Sequence, residues 1–98
     1  MFLTVDQLTA SDRKGYKLSE LLIHTLNASA REGQDRSSQF ATLAKNISAD
    51  GYREDSTIDL VIIDGVPTVV GGAGRVSAVK SLALVDAKWL RAVLPQRI

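Results

Sequence analysis

Cysteine is absent from the 98 residues, and with it go disulfides, thiolate nucleophiles and thiolate-held metal ions. One histidine, His24, leaves any metal site to be completed by carboxylates, so a structural or surface place for it is the simpler expectation. No apolar run approaches the roughly 20 residues that cross a bilayer. The N-terminus also has no basic segment followed by an apolar stretch of signal-peptide type. The expectation is a cytoplasmic chain with no membrane partner. Charge of one sign is missing too: 12 Lys and Arg stand against 11 Asp and Glu, a net charge of +1. No long-range field therefore draws the chain onto DNA non-specifically, although a local basic patch is compatible with these numbers.

What is there suits one small domain. The apolar fraction of 45% and the charged fraction of 23% are those of a folded chain rather than a disordered one, and the length suffices for a single core. The pattern of elements predicts an α+β fold, a small mixed sheet with two or three helices. Phe2–Val5 reads as a short strand or lead-in. A helix over Val5–Arg13 follows, capped by Thr4 and stopped by Gly15. Glu20–Leu26 alternates as a half-buried strand, with a helix over Leu18–Leu26 as the competing reading. Asn27–Ser38 is polar and without apolar period, a connecting loop.

Phe40, Leu43, Ala44 and Ile47 recur at i, i+3, i+4 and i+7, the spacing of a helix face, with Ser37 or Ser38 as N-cap and Gly51 as terminator. Ile58–Ile63 and Val66–Val70 flank Asp64-Gly65, which predicts a hairpin closed by a type I′ turn. Pro67 cannot donate to a ladder and belongs at an edge or a non-bonded position. After Gly71-Gly72-Ala73-Gly74 the residues Val76, Val79 and Ala83 predict a helix to about Leu84. Asp86 marks a turn, and Ala87–Val93 reads as a last strand that ends before Pro95.

The chemistry points to the strand, glycine turn and helix at Gly71–Arg75. Glycines let a backbone turn sharply and bring N–H groups close to a ligand, and a helix N-terminus adds about half a positive charge. Arg75 in the first turn could grip phosphate or carboxylate with two prongs, Ser77 could add a hydroxyl, and Lys80 is a further candidate. Gly72-Ala73-Gly74-Arg75-Val76-Ser77 is one residue from the dinucleotide-binding GxGxxG pattern, but the chain is short for the paired halves of that fold. No Walker A loop is present. The bland reading is a tight connection with Arg75 solvated or ion-paired. Asp6, Asp12, Glu54 and Asp55 show no spacing of paired catalytic carboxylates. Trp89 is expected to pack rather than stack on a base.

The order Leu43–Gly51, Ile58–Val70, Gly72–Lys80 and Leu82–Val93 resembles the ParB/sulfiredoxin superfamily. Its ParB-like N-terminal domains run Leu-x-x-Ser-Ile then Gly, a strand pair, Gly-Glu-Arg-Arg-x-x-Ala-x-Lys, a Leu-Gly turn and a strand. The resemblance covers about residues 20–93 and leaves 1–19 as an N-terminal extension of one domain, 1–98. Ala73-Gly74 replaces the Glu-Arg of the ParB motif, and Arg75 is the one matching arginine. Against the sulfiredoxin Gly-Gly-Cys-His-Arg, Ala73 and Gly74 replace the cysteine and the histidine. The resemblance thus implies no sulfinate repair, makes nucleotide hydrolysis doubtful and assigns no catalytic or metal-binding residue.

It implies a pocket for a nucleotide, such as CTP or ATP, or another phosphorylated ligand. Gly71, Gly72, Gly74, Arg75 and Ser77 would form it, with Arg31 or Arg36 approaching from the loop. The helical DNA-binding domain of partition ParB proteins has no counterpart in these residues, so direct DNA binding has little support. A phage, plasmid or mobile-element accessory role would suit so small a DNA-associated relative. The rivals are a protein–protein interaction or inhibitor module with a vestigial pocket and, last, a nuclease or nucleotide hydrolase.

Overall fold

The computed structural model describes residues 1–23 and 37–98, with no side-chain detail for 37–40. The calls for His24, Arg31 and Arg36, and most of the Asn27–Ser38 loop, lie outside the described residues. Among the described residues, two small sheets and three helices make an α+β fold. Strand β1 (Phe2–Leu3) pairs antiparallel with β3 (Tyr52–Arg53). The second sheet has the order β2 (Leu22–Ile23), β5 (Val66–Gly71), β4 (Ile58–Ile63), β6 (Gln96–Arg97). Its two outer pairings are parallel and its central pairing is antiparallel, the mixed sheet the sequence predicts. Among the described residues no helix is long and apolar enough to cross a membrane.

The central hairpin follows from two residues. Asp64 and Gly65 both have positive φ, 51° and 77°, the requirement of a type I′ turn whose twist matches the flanking strands. Alternation from the turn makes Ile62 and Pro67 a non-bonded pair. The missing N–H of Pro67 therefore faces away from β4, beside Leu21 and just before β2 begins. Proline is thus tolerated in a strand that lies inside the sheet.

Helix α1 (Val5–Leu8) is held by a capping box in which the Thr4 hydroxyl accepts from the Gln7 amide and the Gln7 side chain accepts from the Thr4 amide. It ends well short of the predicted Arg13. Leu8 is its one buried side chain, and beyond it Thr9 turns its hydroxyl onto the Val5 carbonyl, so nothing apolar holds a second turn against the core. Helix α2 (Ser37–Asp50) buries Ala44 and Ile47 and stops at Gly51, φ 98°. It starts at Ser37, so the two serines read as loop and cap lie inside its first turn. Helix α3 (Ala73–Val85) buries Ala73, Val76, Ala78 and Val79.

The predicted strand Ala87–Val93 is instead a 3-10 helix over Ala87–Arg91. Asp86 starts it by accepting from the Lys88 amide through its carboxylate and from the Trp89 amide through its carbonyl. Trp89 and Ala92, three apart, are both buried, which is the 3-10 period rather than the strand period. The closing strand β6 comes after Pro95, not before it.

Residues 1–19, expected as an extension, place Leu3, Leu8 and Leu18 in the same core as Tyr52, Ile58, Val69, Val76, Val79, Trp89 and Leu94. They are also stitched to the C-terminal segment by backbone bonds from Val93 N to Leu8 O and from Leu18 N to Ala92 O, both 2.8 Å.

Candidate functional site

A β-bulge sets up the turn. Leu60 faces Val69 but Asp59 faces Gly71, so Val70 is an extra residue that bends β5 out of the sheet before the helix. Gly72 then adopts φ 81° as the N-cap of α3. A side chain there would be strained, and its Cβ would stand 2.9 Å from Ile58 Cγ2, a fully buried atom that has nowhere to go. The Gly72 carbonyl accepts from both Arg75 N and Val76 N, which pins the first turn.

Arg75 folds back along that turn, with Nη1 3.3 Å from where a Cβ on residue 72 would sit. Its guanidinium lines a cleft of about 340 Å³ whose other walls are Phe2, Leu43, Ile47, Tyr52 and Arg53, with Asn46, Asp50 and Ser56 as further polar lining. The cleft thus lies between α2, β1, β3 and the start of α3. Tyr52 is 1% exposed and donates its hydroxyl proton to the Ser56 carbonyl at 2.5 Å. Burial pushes that hydroxyl from 10.0 up to about 12, while the positive charge of Arg75 pulls the other way.

Arg53 is engaged in a forked pair with Asp55, both contacts at 3.2 Å. Arg75 is in neither of the ion pairs found among the described residues. An arginine on a half-apolar wall without a carboxylate partner is free to receive one from a ligand.

Of the expected site residues, Arg75 is on the cleft. Gly71, Gly72 and Gly74 shape the turn behind it without lining it, and Arg31 lies outside the described residues. Ser77 is two positions beyond Arg75, roughly 200° around the helix, and is not among the cleft residues. Lys80 donates to the Leu21 carbonyl at 3.2 Å, which ties α3 to the approach of β2. The Asp59 carboxylate packs on Gly71, its Oδ2 2.6 Å from the position of a Cβ there. An anion arriving on that side would meet a like charge; on the Arg75 side the Asp50 carboxylate is accompanied by Arg75 and Arg53.

Phe2, Leu43 and Tyr52 did not announce themselves as wall residues, because they come together only through the β1–β3 pairing and the packing of α2. Among the described residues no three His, Cys, Asp or Glu side chains gather as a metal site would require. No protein-family model matches the chain, and neither does any curated protein or solved structure.

Proposed function

We propose that the chain is a ParB/sulfiredoxin-like ligand-binding domain that holds the anionic group of a nucleotide, such as CTP or ATP, or of another phosphorylated molecule, on Arg75. The observation that carries this reading is the unpaired Arg75 guanidinium on the wall of the cleft beside the glycine-capped start of α3. Phe2, Leu43 and Ile47 give the rest of such a ligand an apolar bed. The order α2, Gly51, β3, β4, β5, glycine turn, α3 supports the family reading, and the 3-10 segment in place of a long closing strand departs from it.

Titration of the purified chain with CTP, ATP and GTP, read by thermal stabilisation, tests the proposal. Stabilisation that vanishes in Arg75→Ala supports it. No stabilisation by any of the three, or an equal shift in the variant, defeats it.

A second reading is a protein–protein interaction module, and one specific observation favours it. Leu22, Val61, Ile63 and Val66 share a face of the four-stranded sheet and are each 40–55% exposed, neighbouring apolar side chains of the kind a partner surface could cover. Charged substitutions at Val61 and Ile63 that leave nucleotide stabilisation intact but abolish self-association or partner capture would separate this reading from the first.

A further inference from the structure

A second cleft of about 450 Å³, which shares no lining residue with the first, opens between the loop after α1 and the end of the 3-10 helix. Three cationic side chains from the two ends of the chain line it: Arg13 and Lys17 from the loop after α1, and Arg91 from the 3-10 helix. Ser11 adds a hydroxyl, and Val93 an apolar patch. No carboxylate lines it. None of the three cations takes part in an ion pair among the described residues, and the nearest acid in sequence to Lys17, Glu20, is committed to the Lys17 backbone amide at 2.7 Å. Arg13 Nε is buried and has no hydrogen-bond acceptor. A desolvated guanidinium N–H without a partner is costly, and a bound anion is one way to satisfy it.

The cleft rests on a fixed frame. Gln96 bonds both the amide and the carbonyl of Tyr16, at 3.1 and 2.5 Å. Together with the Val93 to Leu8 and Leu18 to Ala92 bonds, this holds the two walls at a set separation. Cations that share one cleft without a carboxylate among its lining residues favour an anionic guest.

We infer that this cleft is a second, independent binding site for a phosphoryl or pyrophosphoryl group of a small molecule. Three cations lining one cleft suit a phosphoryl dianion or a short polyphosphate better than a single carboxylate, which one arginine would satisfy. A single cleft with three cations on a chain of net charge +1 suits a small molecule better than a nucleic-acid strand, whose backbone needs an extended basic track.

The test uses inorganic tripolyphosphate as probe, followed by calorimetry in phosphate-free buffer, in an Arg75→Gln background that silences the first cleft. One-to-one binding is expected there, weakened about tenfold by Arg91→Gln and again by Lys17→Gln, since each removes one charge-assisted contact. Both side chains are exposed, so both variants are expected to keep the wild-type circular dichroism spectrum. Arg13→Gln should remove binding and, by relieving the unpartnered Nε, leave thermal stability unchanged or raised. Absence of binding in the Arg75→Gln background overturns the inference, as does binding indifferent to Arg91 and Lys17. A short single-stranded oligonucleotide that saturates the site when tripolyphosphate does not also overturns it.

Discussion

Replacing Gly72 by alanine puts the geometry of the glycine turn to a quantitative test. Two costs arise at this position. The backbone at φ 81° lies in the left-handed region, where a side chain costs about 1–2 kcal/mol. The new methyl would also stand 2.9 Å from Ile58 Cγ2 and 3.3 Å from the Ile58 backbone. Ile58 is fully buried, so relief requires a core shift of the kind that costs about 1–3 kcal/mol. Alanine returns about 0.4–1 kcal/mol by stiffening the unfolded chain.

The net expectation is a loss of about 1–5 kcal/mol. Gly65 supplies the control, since its φ of 77° is nearly the same and nothing lies within 4 Å of a Cβ there. Gly65→Ala carries the strain without the collision, so the difference between the two variants isolates about 1–3 kcal/mol of steric cost. Urea unfolding followed by circular dichroism gives both values from the midpoint at constant m. Equal losses in the two variants would refute the claim that the turn packs on Ile58.

Other outcomes follow from single contacts. Tyr52→Phe should cost about 1 kcal/mol by leaving the Ser56 carbonyl without its donor. The same residue sets an alkaline limit. Its hydroxyl is raised in the folded state, so its contribution to stability is full below pH 10.0 and falls away as pH rises towards about 12. Urea midpoints across that window should drop in the wild type relative to Tyr52→Phe, and parallel curves would contradict the burial argument. Asp86→Ala should cost about 1 kcal/mol through loss of the cap on the Lys88 amide, a fall of about 4–8 °C in Tm. An unchanged Tm would mean that the 3-10 helix does not depend on that contact.

Features written in adjacent residues were legible in the sequence. Asp64-Gly65 specified the hairpin turn, because few other dipeptides place two successive residues at positive φ. Val76 and Val79 marked the buried stripe of α3, and Gly51 the end of α2. The segment after Asp86 was misread because Trp89, Leu90, Arg91 and Ala92 alternate well enough for a strand, and five residues cannot separate a period of two from a period of three. The backbone bonds from Trp89 N to Asp86 O and from Ala92 N to Trp89 O decide it.

The binding surfaces were the least legible. Arg75 was marked by its glycines, but the cleft it lines is built from Phe2, Leu43 and Tyr52, which tertiary packing alone assembles. The basic cleft draws Arg13 and Lys17 from one end of the chain and Arg91 from the other, so no local pattern could announce it.

The bonds that join residues 8, 16 and 18 to residues 92, 93 and 96 bear on how the protein is made. A ribosome releases the first partners long before the second, and until Gln96 has cleared the exit tunnel the loop at Gly15–Tyr16 has nothing to hold. Closing this ring of some eighty residues therefore comes after the local turns and helices in the order of folding.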